Sequence, residues 1–152
     1  MQRFIRLYLI ATTLAALSLI GCRPIGPVLA EHRALADGTY RGAFIDEGII
    51  QVNVQFSLQD GVVTTASFRH LVGALPAYNL DTEEEPQRSV VAQYEEALQY
   101  LIGKPLGDHL AELYRPENVI LSDVDGYTRA TVRANKIVSA IRDALNRGPY
   151  EL

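Results

Sequence analysis

The chain has 152 residues, 48% of them hydrophobic and 21% charged, which is enough for one ordinary globular domain and cramped for two. Its 18 acidic and 14 basic side chains include no basic cluster, which argues against a surface built to bind nucleic-acid phosphates. Cys22 is the only cysteine, so no internal disulfide can form.

Arg3 and Arg6 precede an apolar run from Leu7 to Ile20 that stops at Gly21-Cys22, the pattern of a secretory signal. The run is 14 residues long, short of the roughly 17–25 that cross a bilayer as a helix, so a permanent transmembrane anchor fits less well. Leu19-Ile20-Gly21-Cys22 resembles the bacterial lipoprotein signal. That resemblance implies that Cys22 receives a diacylglyceryl group and becomes the first residue after cleavage of a signal peptide spanning 1–21. The mature chain would then carry 12 basic and 18 acidic side chains, a net charge of −6, and would sit on the extracytoplasmic face of a membrane without spanning it. Residues 22–36 contain Pro24, Gly26 and Pro27 and show no periodicity, as suits a tether.

The folded domain is expected over residues 37–152. Asp37-Gly38-Thr39-Tyr40-Arg41-Gly42-Ala43-Phe44 reads as a turn leading into a first strand. Ile50, Val52, Val54, Phe56 and Leu58 then alternate with Gln51, Asn53, Gln55 and Ser57, the period of a half-buried strand. Asp60-Gly61 supplies the residue types of a tight hairpin turn, and Val62 to Leu71 returns as a β-rich run. Strands at about 39–45, 49–58 and 62–71 thus form an antiparallel meander.

Residues 73–88, with Gly73, Pro76, Glu83-Glu84-Glu85 and Pro86, read as a long surface connection. The three adjacent carboxylates cannot all face one metal ion, and a solvated lead-in to a helix explains them better. Val90, Val91, Tyr94, Ala97, Leu98 and Leu101 then mark the buried face of a helix near 89–102, ended by Gly103 and Pro105. A shorter helical pattern follows in Leu106, Leu110, Leu113 and Tyr114. Val119-Ile120-Leu121 reads as a brief β-like run that either adds a strand or feeds the next segment. A closing helix near 130–146 shows Ala134, Ile137, Val138, Ile141, Ala144 and Leu145 on one side, stopped by Gly148-Pro149. The elements give an α+β domain: a small antiparallel sheet packed by helices.

Asp125-Gly126-Tyr127-Thr128-Arg129-Ala130-Thr131 ends where the closing helical pattern begins, bringing a hydroxyl to a helix start, where unpaired N–H groups and the macrodipole favour a phosphate. A plain helix cap by Thr128 is the common alternative. Asp125-x-x-Thr128-x-Ala130-Thr131 resembles the flavinylation pattern of the FMN-binding domain family, found in periplasmic subunits of bacterial redox complexes and in electron-transfer lipoproteins. The resemblance extends over about 37–148: Asp37 to Gly42 resembles the family's opening strand, the Asp60-Gly61 hairpin falls in register, and Ala130 to Leu145 aligns with the closing helix. It implies covalent FMN, phosphoester-linked to Thr131, with Asp125 and Thr128 as recognition residues and Ala130 leaving room beside the acceptor. A separate flavin transferase using FAD and a divalent metal would make the link, and extracytoplasmic redox proteins would be the partners. The chain would be an electron-transfer module more than a stand-alone enzyme. Arg129 stands where the family usually has glycine, and it either pairs with the phosphodiester or obstructs the attaching enzyme. A lipid-anchored binding or assembly protein that has lost the flavin is therefore the alternative.

Other residues point to less. His32, His70 and His109 lack metal-ligand spacing, and no Ser-His-Asp, P-loop or dinucleotide fingerprint occurs. Of the tyrosines, only Tyr127 is favoured as a face for the flavin ring, for its place in the motif.

Overall fold

The computed structural model describes residues 35–74, 77–122 and 133–150. Four antiparallel strands, β1 (Gly38–Asp46), β2 (Ile49–Gln59), β3 (Val62–Ala74) and β4 (Ala77–Asn79), form a sheet in sequence order. With the helices α1 (Gln87–Gln99), α2 (Leu106–His109) and α3 (Asn135–Arg147), this is an α+β domain.

Both hairpin turns follow from their residues. Glu47-Gly48 and Asp60-Gly61 each place two successive residues at positive φ (50° and 79°, 52° and 74°), the backbone of the two-residue turn whose twist matches the strands it joins. The alternation in β2 becomes a core face of Val52, Val54, Phe56 and Leu58, all 3% exposed or less. Directly opposite Phe56, Tyr40 stacks its ring at 5.2 Å between centroids. Register shifts at Phe44/Ile45, Asn53/Val54 and Ser57/Leu58 keep the apolar residues of β1 and β3 on the same face.

Helix α3 lies over β1 and β2, and α1 over β3 and β4. Gly42 sets how close α3 comes: a Cβ there would stand 2.1 Å from the Ala140 carbonyl oxygen and 2.7 Å from the Ala144 Cβ. Ile137, Val138, Ala140, Ile141 and Ala144 are completely buried in this contact. On the outer side of β1, the Asp143 carboxylate accepts the Ala43 N–H at 2.8 Å, and the Thr39 carbonyl accepts the Tyr150 N–H at 2.6 Å.

Five expectations are corrected or refined. The stretch 73–88 contains β4, because the buried Tyr78 pairs with Gly73 and lays its ring where a side chain on that glycine would be, 2.2 Å from Cε1 to the missing Cβ. The pattern from Leu106 to Tyr114 is one α-turn followed by a 3-10 helix, Leu110–Tyr114, and a second 3-10 turn spans Pro116–Asn118. Val119-Ile120-Leu121 forms no strand: the N–H groups of Val119 and Ile120 both donate to the Pro116 carbonyl, which extends that turn and buries both side chains. The closing helix begins at Asn135, later than the expected 130, since the Arg133 N–H is committed to a side-chain oxygen outside the helix. The first helix is also offset, at 87–99 against 89–102, and its last residues turn through Tyr100–Lys104 to meet the start of β3.

Candidate functional site

Asp125, Tyr127, Thr128, Arg129, Ala130 and Thr131 lie outside the described residues, as do Cys22, His32 and the whole of 1–34. What the structure does describe is the frame in which residues 123–132 are set. On the entry side, the Glu96 carboxylate of α1 accepts the N–H of Leu121 at 2.6 Å and that of Ser122 at 3.1 Å. On the exit side, the Tyr94 hydroxyl, one residue pair earlier on the same helix, accepts the Arg133 N–H at 3.0 Å. Both ends of the segment are therefore fastened to one turn of α1.

The two fasteners differ in chemistry. Partial burial raises the Glu96 carboxyl, but hydrogen bonds from the Ser122 side chain and the Leu121 and Ser122 amides outweigh it and hold the group below the usual carboxylate range. A negative charge is thus kept at the entry. Tyr94 is fully buried, its ring 5.9 Å from Tyr78 and edge-on to Phe68 at 6.4 Å. Burial pushes the Tyr78 hydroxyl far up, the neighbouring Tyr94 adds to this, and Arg133 opposes it. The Tyr78 hydroxyl stays neutral.

At the exit, α3 starts without a side-chain cap and without an acidic residue in its first turn; Ala134 precedes it in helical conformation. Among the described residues no side chain caps its leading N–H groups, the Lys136 N–H donates to the Arg133 carbonyl at 2.9 Å, and two cations, Arg133 and Lys136, flank the start. Lys136 is half-buried, donates to the Gln51 side-chain oxygen and lies 5.9 Å from the Phe44 ring centroid. Burial, and then repulsion from Arg133, lower its pKa, with Asp46 acting the other way. Among the described residues, positive charge at a helix start without a side-chain cap suits a phosphate, whose oxygens accept hydrogen bonds and carry the compensating charge. The donor set therefore fits the phosphate end of FMN.

No family model, curated protein or solved structure matches the chain. Function rests on the residues themselves.

The remaining sequence candidates are dispersed. His70 is exposed within β3, and His109, at the end of α2, has Nδ1 3.0 Å from the Pro105 carbonyl oxygen. Among the described residues, no three His, Cys, Asp or Glu side chains gather as a metal site. The acidic triplet is exposed, and Glu85 accepts the Ser89 N–H and hydroxyl at the start of α1 while pairing with Arg88 at 2.8 Å. Tyr78 and Tyr94 belong to the core, and Tyr100 donates its hydroxyl to Glu112. Glu96, Arg133 and Lys136 were not among the sequence candidates, and Tyr94 was weighed only as a ring face and set aside. Glu96 and Tyr94 belong to an ordinary amphipathic pattern, and only the fold brings them to the ends of the motif. Arg133 and Lys136 were within reach as the basic residues just after Thr131.

Proposed function

We propose that the chain is a membrane-tethered extracytoplasmic flavoprotein domain. It carries FMN phosphoester-linked to Thr131 and transfers electrons between redox partners. What supports this reading is the junction of two things: the Asp125-x-x-Thr128-x-Ala130-Thr131 pattern in the sequence, and the uncapped, doubly cationic start of α3 that follows it. In attachment, the Thr131 hydroxyl oxygen takes the FMN phosphoryl group from FAD, AMP leaves, and the hydroxyl proton passes to the flavin transferase. A threonine hydroxyl is a poor nucleophile without a base, and its activation is assigned to that enzyme. The FMN, when bound, supplies a ring that accepts and donates electrons. Arg133, Lys136 and the α3 amides hold the phosphodiester, while Glu96 and Tyr94 fix the ends of the segment that presents it. Cys22, as the lipidated first residue, confines the domain to the membrane surface within reach of its partners.

Co-expression with a flavin transferase tests this by intact mass. The wild type gains the mass of FMN and Thr131→Ala gains none; an unmodified, colourless wild type refutes the reading. Incorporation of labelled fatty acid into the wild type and not into Cys22→Ala tests the anchor. Arg129 favours the second reading, a lipid-anchored binding or assembly protein with the same fold and no covalent flavin. Yellow protein that releases its colour on denaturation would instead indicate noncovalent FMN.

A further inference from the structure

The sheet has a second face, turned away from its buried side chains. Along β2 the core residues Val54 and Phe56 bracket Gln55, whose side chain therefore points to the opposite side. In register with Gln55 stand Arg41 on β1 and Ser67 on β3, with Arg69 two residues beyond Ser67. Gln55 Oε1 accepts Arg41 Nε at 2.8 Å and Arg69 Nη1 at 3.2 Å, so two guanidiniums converge on one neutral oxygen. Among the described residues neither is paired with a carboxylate, whereas Arg88 has Glu85 at 2.8 Å and Arg147 has Asp143 at 3.0 Å. The Tyr150 ring, with its centroid 4.3 Å from the Arg41 guanidinium, helps to hold that side chain in place. Like charges side by side on a sheet repel, and each guanidinium donates one N–H to the amide oxygen and has others left to donate.

We propose that Arg41 and Arg69 form a docking point for a carboxylate on an acidic segment of a partner protein, laid across this outer face. A carboxylate brings both the acceptor oxygens and the negative charge that the paired guanidiniums call for. The surroundings favour a peptide over a chain of phosphates. A run of phosphates needs a run of cations, and this pair is bordered instead by the neutral hydroxyls of Thr39, Ser57 and Ser67, the first two 3.0 Å apart. Hydroxyls can meet the amide and carbonyl groups of a peptide backbone. With 18 acidic and 14 basic side chains, the chain as a whole repels an acidic partner, so attraction confined to this pair fixes where the partner sits. The docking point does not depend on bound flavin.

The test is fluorescence anisotropy of a labelled hexaglutamate peptide titrated with the full-length chain at low salt. Arg69→Gln should weaken binding about tenfold or more, Arg69→Lys should weaken it less, and Arg88→Gln should leave it unchanged. Arg69→Gln should also melt at or above the wild-type temperature, because the repulsion between the guanidiniums is gone. A wild type that does not bind the peptide overturns the proposal, as does an equal loss in Arg88→Gln, which would show attraction to charge in general. Inorganic phosphate or phosphatidylglycerol vesicles bound more tightly than the peptide would assign the pair to phosphate and overturn it too. So would peptide binding seen only after removal of residues 151–152, since the chain would then fill the site itself. An Arg69→Gln variant that melts far below wild type, with Arg69→Lys binding no peptide, would make the arginine a part of the fold and overturn the docking role.

Discussion

The Tyr94 hydroxyl accepts the Arg133 amide proton at 3.0 Å, joining the middle of α1 to the residue that leads into α3. Tyr94→Phe keeps the buried ring and removes only this acceptor. We expect a loss of about 1 kcal/mol in urea unfolding, the usual worth of one hydrogen bond. Amide exchange at Arg133 should speed up while exchange at β2 stays the same.

Glu96 gives the entry side a pH dependence. Its carboxyl titrates below the ordinary glutamate value of 4.5 in the folded chain, so the unfolded chain binds more protons in acid. The stabilisation is complete above about pH 4.5 and is lost as pH falls through the lower, folded value. Glu96→Gln should flatten the acid limb of stability against pH in that range, and a limb of unchanged slope would show that other carboxylates set it.

Lys136 has the opposite sign of effect at the alkaline end. Its pKa is lower in the folded chain than the ordinary 10.5, so the unfolded chain binds more protons between the two values and stability rises with pH there. Lys136→Met should remove that rise. Inorganic phosphate, added as a probe of the α3 start, should raise the Lys136 pKa, which NMR titration of its side chain can follow.

Gly42 admits no side chain. Gly42→Ala forces a Cβ into backbone atoms of α3, with its nearest contact at 2.1 Å, and relief requires the helix to move off the sheet. We expect a cost of about 2–4 kcal/mol, at the upper end for overpacking, read by thermal or urea unfolding. A cost under about 1 kcal/mol would mean that α3 can slide without penalty.

Arg129→Gly tests the proposed attachment at the position where the resembled family usually has glycine. With limiting transferase, the fraction of chain carrying the FMN mass should rise relative to wild type. Equal fractions would show that the arginine does not obstruct attachment.

The sheet was readable because its signals are local. The alternation from Ile50 to Leu58 and the Asp60-Gly61 pair each depend on neighbours in sequence, and the strand boundaries agree with β2 and β3 to within a few residues. The short β4 was not readable, since three residues after a proline carry no period. It exists because Tyr78 finds a glycine opposite it. Val119-Ile120-Leu121 left a strand open as one of two readings for a related reason: its β-branched composition is overridden by the turn that begins at Pro116. The motif residues lie outside the described residues, and the frame around them was not legible in sequence. Glu96 and Tyr94 reach the segment ends from α1, 25 residues before Leu121 and 39 before Arg133 in the chain.

The two bonds on the outer side of β1 bear on how many copies can share a surface. Strand addition by a neighbouring molecule needs a row of open amides and carbonyls, and here the Ala43 amide and the Thr39 carbonyl are already taken, by Asp143 and by the Tyr150 backbone. Asp143 is steadied in turn by Arg147 at 3.0 Å, and the Arg41 guanidinium stands 4.3 Å from the Tyr150 ring centroid. The sheet thus closes its first edge with the chain's own final residues. Copies of the domain crowded together would meet at this edge without zippering together.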